Sequence, residues 1–345
     1  MENIAQAIKE KAIALGYEKC GIIRISAVAD YSDRLKERMS RIFLGRLQYG
    51  QFMAFAHPKK LYPWAKSIVV LVHSYAGYNI PGEFKGVYGS AYMFDDRLDE
   101  NCNGFEMRKH FGEFLESMGL MTATDAKFGL TGLRWAAHKA GLGIIRRNNF
   151  FYTENGSWNH IEAWLIDGEQ ELIEKPALKE CPDNCDKCIK SCPTGSLNRP
   201  YTMSCLKCIS YITSLSAEKG LGMPSMKTSS KVGRWLYGCD ACQDACPFNE
   251  GKWRRGCDFP GLDKLTGYMR PEKIMAMSYD EIAKNLAPKY WYIGANNLWK
   301  WKIDALTVMM NDFQEDYVSA IKSGMTDTNW RVRRFTKKVC KKLKI

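Results

Sequence analysis

CPDNCDKCIKSCP (residues 181–193) and CDACQDACP (residues 239–247) decide how this chain is read. Each closes on the pattern C-x2-C-x3-C-P. Cys185, Cys188, Cys192 and Pro193 form the first copy, and Cys239, Cys242, Cys246 and Pro247 the second. Three thiolates on one tight loop wrap a cubane, while the cysteine before the proline points away and reaches a second one. The proline stops the loop from running on at once as a helix and removes a backbone donor. Two copies imply two [4Fe–4S] clusters that exchange ligands between the motifs. Such a pair needs about eight thiolates. The motifs supply six, Cys181 is the obvious seventh, and the eighth is Cys205 or Cys208. Zinc ribbons also use paired C-x-x-C, but they usually lack the C-x3-C-P ending, so the spacing favours iron–sulfur.

Outward from these motifs, the composition fits a redox protein. The chain has 345 residues and 13 cysteines, nine of them between Cys181 and Cys246, with Cys20, Cys102, Cys257 and Cys340 scattered as ordinary thiols. With 46% hydrophobic and 12% aromatic residues it is neither disordered nor fibrous. Its purest apolar run, Ile68–Val72, is far shorter than the roughly 18–20 residues a membrane helix needs. The N-terminal stretch lacks the apolar core of a signal peptide. A cytoplasmic, reducing location with no membrane partner is therefore expected, where disulfides do not account for the cysteines. The net charge of +12 is concentrated: residues 251–345 hold 19 Lys or Arg against 10 Asp or Glu. From Arg331 onward there are eight basic residues and no acidic one.

These asymmetries divide the chain into residues 1–175, an α/β domain, 176–265, a ferredoxin-like two-cluster domain, and 266–345, a basic α-helical tail. In the first, Ile4, Ile8, Ala12 and Leu15 recur at helical spacing before Gly16. SIVVLVHSY (67–75) and IEAWLID (161–167) read as strands, and Glu106–Met118 and Leu133–Ala140 as helices. Alternating strands and helices suggest a layered α/β sheet. The tail reads as helices over Lys273–Leu286, Leu298–Met310, Tyr317–Gly324 and Trp330–Leu343. They form a HEAT-like repeat whose apolar faces need the preceding domain for cover.

CPTGSL (192–197), CISYIT (208–213) and YGCDACQDACPFN (237–249) resemble the epoxyqueuosine reductases, cobalamin- and iron–sulfur-dependent enzymes that act on a modified wobble base of tRNA. The likeness continues through YPWAKSIVVL (62–71), AGLGIIRRNNFF (140–151), GSW (156–158) and the tail pattern DTNWRVRRFTKKVCKKL (327–343), similar to the family's terminal HEAT-type repeat. The resemblance selects Cys208 over Cys205. It implies one cluster on Cys181, Cys185, Cys188 and Cys246 and the other on Cys192, Cys208, Cys239 and Cys242. The family has two residues between its first two ligands and this chain has three, Pro182, Asp183 and Asn184.

The resemblance further implies an N-terminal cobalamin-binding domain, with Gly141, Gly143, Asn148, Gly156 and Ser157 in loops facing the corrin. It also implies electron flow from a low-potential donor through the clusters to cobalt, and removal of the epoxide oxygen. No D-x-H-x-x-G cobalamin motif is present, and the five histidines are isolated in sequence. The family's proton-donating aspartate falls at Lys127 in strict register, and a two-residue slip brings Asp125 there. Its Y-A-x-G-x-D-Y-H stretch is blurred to VYGSAYMFDDRLD (87–99). The tail's charge, with Trp299, Trp301 and Trp330 interleaved, suits a folded RNA, here tRNA. Arg331, Arg334, Lys338, Lys341 and Lys342 recur at three- and four-residue steps and line one helical side.

Overall fold

The structure is a computed structural model that describes residues 4–221, 223–254 and 256–345. Its first layer is a four-stranded sheet built from β1 (Lys19–Arg24), β2 (Ser67–Ser74), β3 (Thr122–Thr124) and β4 (Asn159–Ile166), in the order β1–β2–β4–β3. Every pairing is antiparallel. The expected sheet is present, yet its strands do not run parallel as a strict α/β alternation would have them. Seven of the eight residues of β2 are buried, because helices cover both faces of the sheet. A strand buried on both faces reads as one apolar run, so its sequence carries no mark of direction.

On one face, α1 (Ile4–Leu15) and α2 (Asn103–Ser117) bring Ile8, Ala12, Met107, Phe111 and Leu115 onto Ile22, Val69, Leu71 and Trp164. On the other, α3 (Leu133–Lys139) lays Ala136 and Ala137 on Ile68, Val70, Ala163 and Leu165. After β4 the chain runs without regular structure to the first cysteine motif. There α4 (Lys187–Lys190) packs against α5 (Ala241–Asp244) of the second.

The tail holds α6 (Pro271–Ala276), α7 (Tyr279–Asn285), α8 (Trp299–Asn311), α9 (Tyr317–Ser323) and α10 (Trp330–Leu343). The helix expected over 273–286 is two helices. Ser278 breaks it by capping α7: its Oγ accepts from the Glu281 N–H at 3.2 Å, and Glu281 Oε2 accepts from the Ser278 N–H at 2.7 Å. The tail shares one core with the middle of the chain. Trp301 is fully buried and stacks on Tyr237 with ring centroids 5.1 Å apart, and Phe335 and Val339 of α10 belong to the same cluster as Tyr88 and Phe94. The tail thus finds the cover its helices lack.

Candidate iron–sulfur centres

Both cysteine motifs fold alike. In each, one turn of helix (α4 or α5) carries the middle cysteine, and the last cysteine closes the turn through its N–H: Cys192 to Ile189 O at 3.2 Å, Cys246 to Gln243 O at 3.1 Å. Proline follows and ends the helix. The pre-proline cysteines then face opposite motifs. The thiol of Cys188 is surrounded by Cys246, Cys181 and Cys185, and burial first, then these neighbours, pushes it up to about 11. Cys242 is flanked by Cys208, Cys239 and Cys192, and burial followed by those thiols raises it as well. The arrangement is therefore two quartets, Cys181/Cys185/Cys188/Cys246 and Cys192/Cys208/Cys239/Cys242. Cys188 and Cys242, raised in this way, give up their protons when a metal takes up the charge.

The quartets are too open for a single ion. Among the described residues, three potential ligand atoms lie within 4.8 Å of one another only at Asp95, Asp96 and His160, so no three cysteine sulfurs converge that closely. Zinc with Zn–S near 2.3 Å would bring four sulfurs to about 3.8 Å from each other. The donor set fits a polynuclear iron–sulfur core instead. A small cavity lies within the first quartet, bounded also by Arg146, Arg147, Pro247 and Phe248. Arg146 Nη1 sits 3.8 Å from Cys181 Sγ, and the Ser196 N–H donates to Cys192 Sγ at 3.2 Å. Such donors tune a cluster's potential. Cys205 turns the other way, into an apolar cluster with Leu35, Ile42 and Tyr49.

Of the five residues expected to face a corrin, Asn148, Gly156 and Ser157 lie in the seam between the sheet and the second cysteine loop, while Gly141 and Gly143 pack on Glu174 and Tyr152. Asn148 Nδ2 donates to Tyr152 Oη at 2.9 Å and to Cys242 O at 3.1 Å. Ser157 N–H donates to Asn249 Oδ1 at 2.9 Å, and Gln243 Nε2 and Asn249 Nδ2 each donate to Ser157 Oγ at 2.9 Å. A Cβ on Gly156 (φ +92°) would stand 2.7 Å from Asn249 Oδ1, and one on Gly141 or Gly143 would collide with the backbone oxygen of Glu174 or Tyr152. These side chains and faces are spent on the protein itself and do not fit an open corrin cradle. Asn249 and Gln243, which hold the seam, lie inside the YGCDACQDACPFN stretch, where only the cysteines carried a readable role.

Asp125 and Lys127 occupy an exposed turn. Asp125 Oδ1 accepts the Lys127 N–H at 2.7 Å, Lys127 Nζ lies 5.6 Å over the Trp291 ring, and Phe128 packs edge-on against Trp291. Beneath Trp291 is a buried polar centre: Asp95 and Asp96 come from the 87–99 stretch that keeps some of the family's chemistry without its spacing, while nothing in the sequence joined them to His73 and His160. Trp291 Nε1 donates to Asp95 Oδ2 at 3.3 Å, Arg97 grips Asp95 with two bonds of 2.8 Å, and His73 Nε2 meets Asp96 Oδ1 at 3.1 Å. Burial opposes ionisation of Asp95, but the Arg97 guanidinium outweighs it and holds the carboxyl well below the usual range. His160, opposite His73 in the β2–β4 register, is pushed down to about 3 by burial and then by Arg97, so it is neutral.

In the tail, Arg334, Lys338, Lys341 and Lys342 are exposed on α10. Arg331 is half-buried, 4.9 Å from the rings of both Trp299 and Trp330, and Lys342 bonds Ser230. Trp299 and Trp301 are buried and only Trp330 stays open. Among the described residues, no helix is long and apolar enough to cross a membrane.

Fold and cysteine geometry define a two-cluster iron–sulfur protein, and a sequence profile described as a 4Fe-4S double cluster binding domain matches residues 180–249. The chain is 26% identical over 316 residues to an epoxyqueuosine reductase from Cyclobacterium marinum, covering 88% of this chain and 94% of that one. The solved epoxyqueuosine reductase from Bacillus subtilis superposes with a TM-score of 0.79 at 22% identity, over 98% of this chain and 90% of the other. An epoxyqueuosine reductase solved with an epoxyqueuosine-modified tRNA-Tyr stem loop gives 0.72 at 21% identity, over 99% and 98%. In sequence and in fold the chain is similar to epoxyqueuosine reductases.

Proposed function

We propose that this chain is an iron–sulfur oxidoreductase that reduces epoxyqueuosine to queuosine in tRNA. The observation that carries the reading is the pair of exchanged cysteine quartets, set in a chain that is similar to an epoxyqueuosine reductase over 94% of that relative's length. In this reading Cys181, Cys185, Cys188 and Cys246 hold one cluster, and Cys192, Cys208, Cys239 and Cys242 the other. Residues 1–175, 176–265 and 266–345 serve as sheet, cluster and helical domains. When bound, the clusters supply low-potential one-electron transfer. Removing an epoxide oxygen as water takes two electrons and two protons, so a low-potential donor must deliver twice per turnover.

Asp125, with Oδ1 engaged by its own turn and Oδ2 free, is the proposed proton donor, and Lys127 over Trp291 is the alternative. Arg334, Lys338 and Lys341 on α10 neutralise tRNA phosphates, while Arg331 braces Trp330. A cytoplasmic location accords with tRNA as substrate. Cobalamin belongs to the resemblance, and because Gly141, Gly143, Asn148, Gly156 and Ser157 are spent on internal contacts, no step here is routed through it. The exposed turn at Asp125 favours a second reading: a paralogue with the same cofactors and another substrate.

The test is anaerobic purification followed by turnover of epoxyqueuosine-containing tRNA with a low-potential reductant, with and without added cobalamin. Queuosine formation that falls at least 100-fold in Asp125→Asn supports the first reading and the donor. A fall in Lys127→Met instead moves the donor to Lys127. No queuosine from fully clustered, cobalamin-supplied protein assigns the chain to the paralogue.

A further inference from the structure

A cavity of about 370 Å³ opens at the end of the sheet where Arg24, Ser67 and Ile166 stand in register. His73 and His160 lie toward the opposite end of the same strands, about 20 Å along β2 from Ser67. Arg24, Lys59, Lys60 and Lys66 line the cavity together with His57, against a single acidic residue, Glu169. That carboxylate is already taken, since its Oε1 lies 2.5 Å from Arg24 Nη1. Among the described residues, the ammonium groups of Lys59, Lys60 and Lys66 have no ion pair or hydrogen bond. Unpaired like charges around one concavity focus a positive potential and draw anions into it. The walls are held by backbone. The Lys66 N–H donates to Ile166 O at 2.9 Å, and the Lys66 carbonyl accepts the Ile25 N–H at 2.9 Å. The Pro58 carbonyl accepts the N–H groups of Leu61 and Tyr62 at 3.1 and 3.0 Å. Apolar lining comes from Ile25, Ala56 and Pro58, all buried.

We propose that this cavity binds a small ligand carrying two linked phosphates. Lys59 and Lys60 follow Pro58 in one short turn, and Lys66 stands just before β2, so the cations reach the cavity from two elements. A diphosphate spreads its charge over several oxygens and can take a charge-assisted hydrogen bond from each side. The volume falls within the roughly 300–1,000 Å³ of small-molecule sites and leaves room beyond the phosphates for an organic group against Ile25, Ala56 and Pro58. An RNA backbone fits less well, because its repeated phosphates follow an extended basic surface such as α10 offers. The cavity shares no lining residue with the one inside the first cysteine quartet. It is a site of its own, whether or not the chain acts on tRNA.

The experiment uses the full chain with its clusters, purified anaerobically and titrated in a calorimeter with inorganic pyrophosphate. Salt is kept at about 0.15 M, where weak surface attraction is screened. The expected result is one pyrophosphate bound per chain, weakened at least tenfold in the double variant Lys59→Gln, Lys66→Gln at unchanged cluster absorption. Adenosine diphosphate, which adds an organic group, is expected to compete for the same site. Absence of saturable binding in the parent chain overturns the proposal without recourse to any variant, and binding that the double variant keeps overturns it as well. Pyrophosphate that adenosine diphosphate does not displace overturns the place given to an organic group. Pyrophosphate displaced by a tRNA stem loop assigns the cavity to RNA and overturns the small ligand. None of these readouts depends on cobalamin or turnover.

Discussion

Asn249 satisfies three groups at once: the N–H of Ser157, the Oγ of the same serine, and the carbonyl of Gln243. It ties the second cysteine motif to the sheet. Replacing it with alanine leaves the buried Ser157 N–H and Gln243 carbonyl without that partner, at about 1–3 kcal/mol for each group left unsatisfied. Anaerobic denaturant unfolding of cluster-loaded Asn249→Ala is expected to show a loss of that order, and an unchanged midpoint would contradict the role given to the seam. The six motif cysteines were legible as candidate ligands because their spacing is local and chemically demanding, whereas Asn249 acts only through what the fold brings to it. His73 and His160 illustrate the same limit. They stand 87 positions apart, and only the β2–β4 register makes them neighbours.

Among the elements, the helices of the tail were readable nearly to the residue, because their apolar faces follow the helical period. The exception is instructive: Ser278-Tyr279-Asp280-Glu281 spells a capping box, yet it lies inside a run of good helix formers that masks the break. Sheet direction was hidden for the opposite reason, since the middle of β2, Ile68–Val72, is one unbroken apolar run. The function of α10 is testable at this scale. Its buried side carries Val332, Phe335 and Val339, so charge reversal at the exposed Arg334, Lys338 and Lys341 leaves the packing intact. The triple variant Arg334→Glu, Lys338→Glu, Lys341→Glu is expected to bind tRNA at least tenfold more weakly. Its log–log salt slope should be shallower by up to about one unit per lost phosphate contact. Unchanged affinity and slope would show that this helix is only a solvated surface.

Across the molecule, one core runs from Tyr75 through Leu236 and Tyr237 to Cys340, so the second cysteine motif is tied to the tail by Tyr237 under Trp301 and to the sheet side by Asn249 on Ser157. The need for cover was readable in the tail's apolar faces, but its particular partner, Tyr237 under Trp301, was not. The central claim is that each pre-proline cysteine serves the other motif's centre. Anaerobic iron counting in paired variants tests it most directly. The parent chain is expected to hold about eight irons, as two [4Fe–4S] clusters require. Cys185→Ala combined with Cys246→Ala removes two ligands of one cluster and should leave about four, whereas Cys239→Ala combined with Cys246→Ala strikes both clusters and should leave almost none. The reverse order, with iron lost entirely from the first pair and half retained by the second, would contradict the exchange.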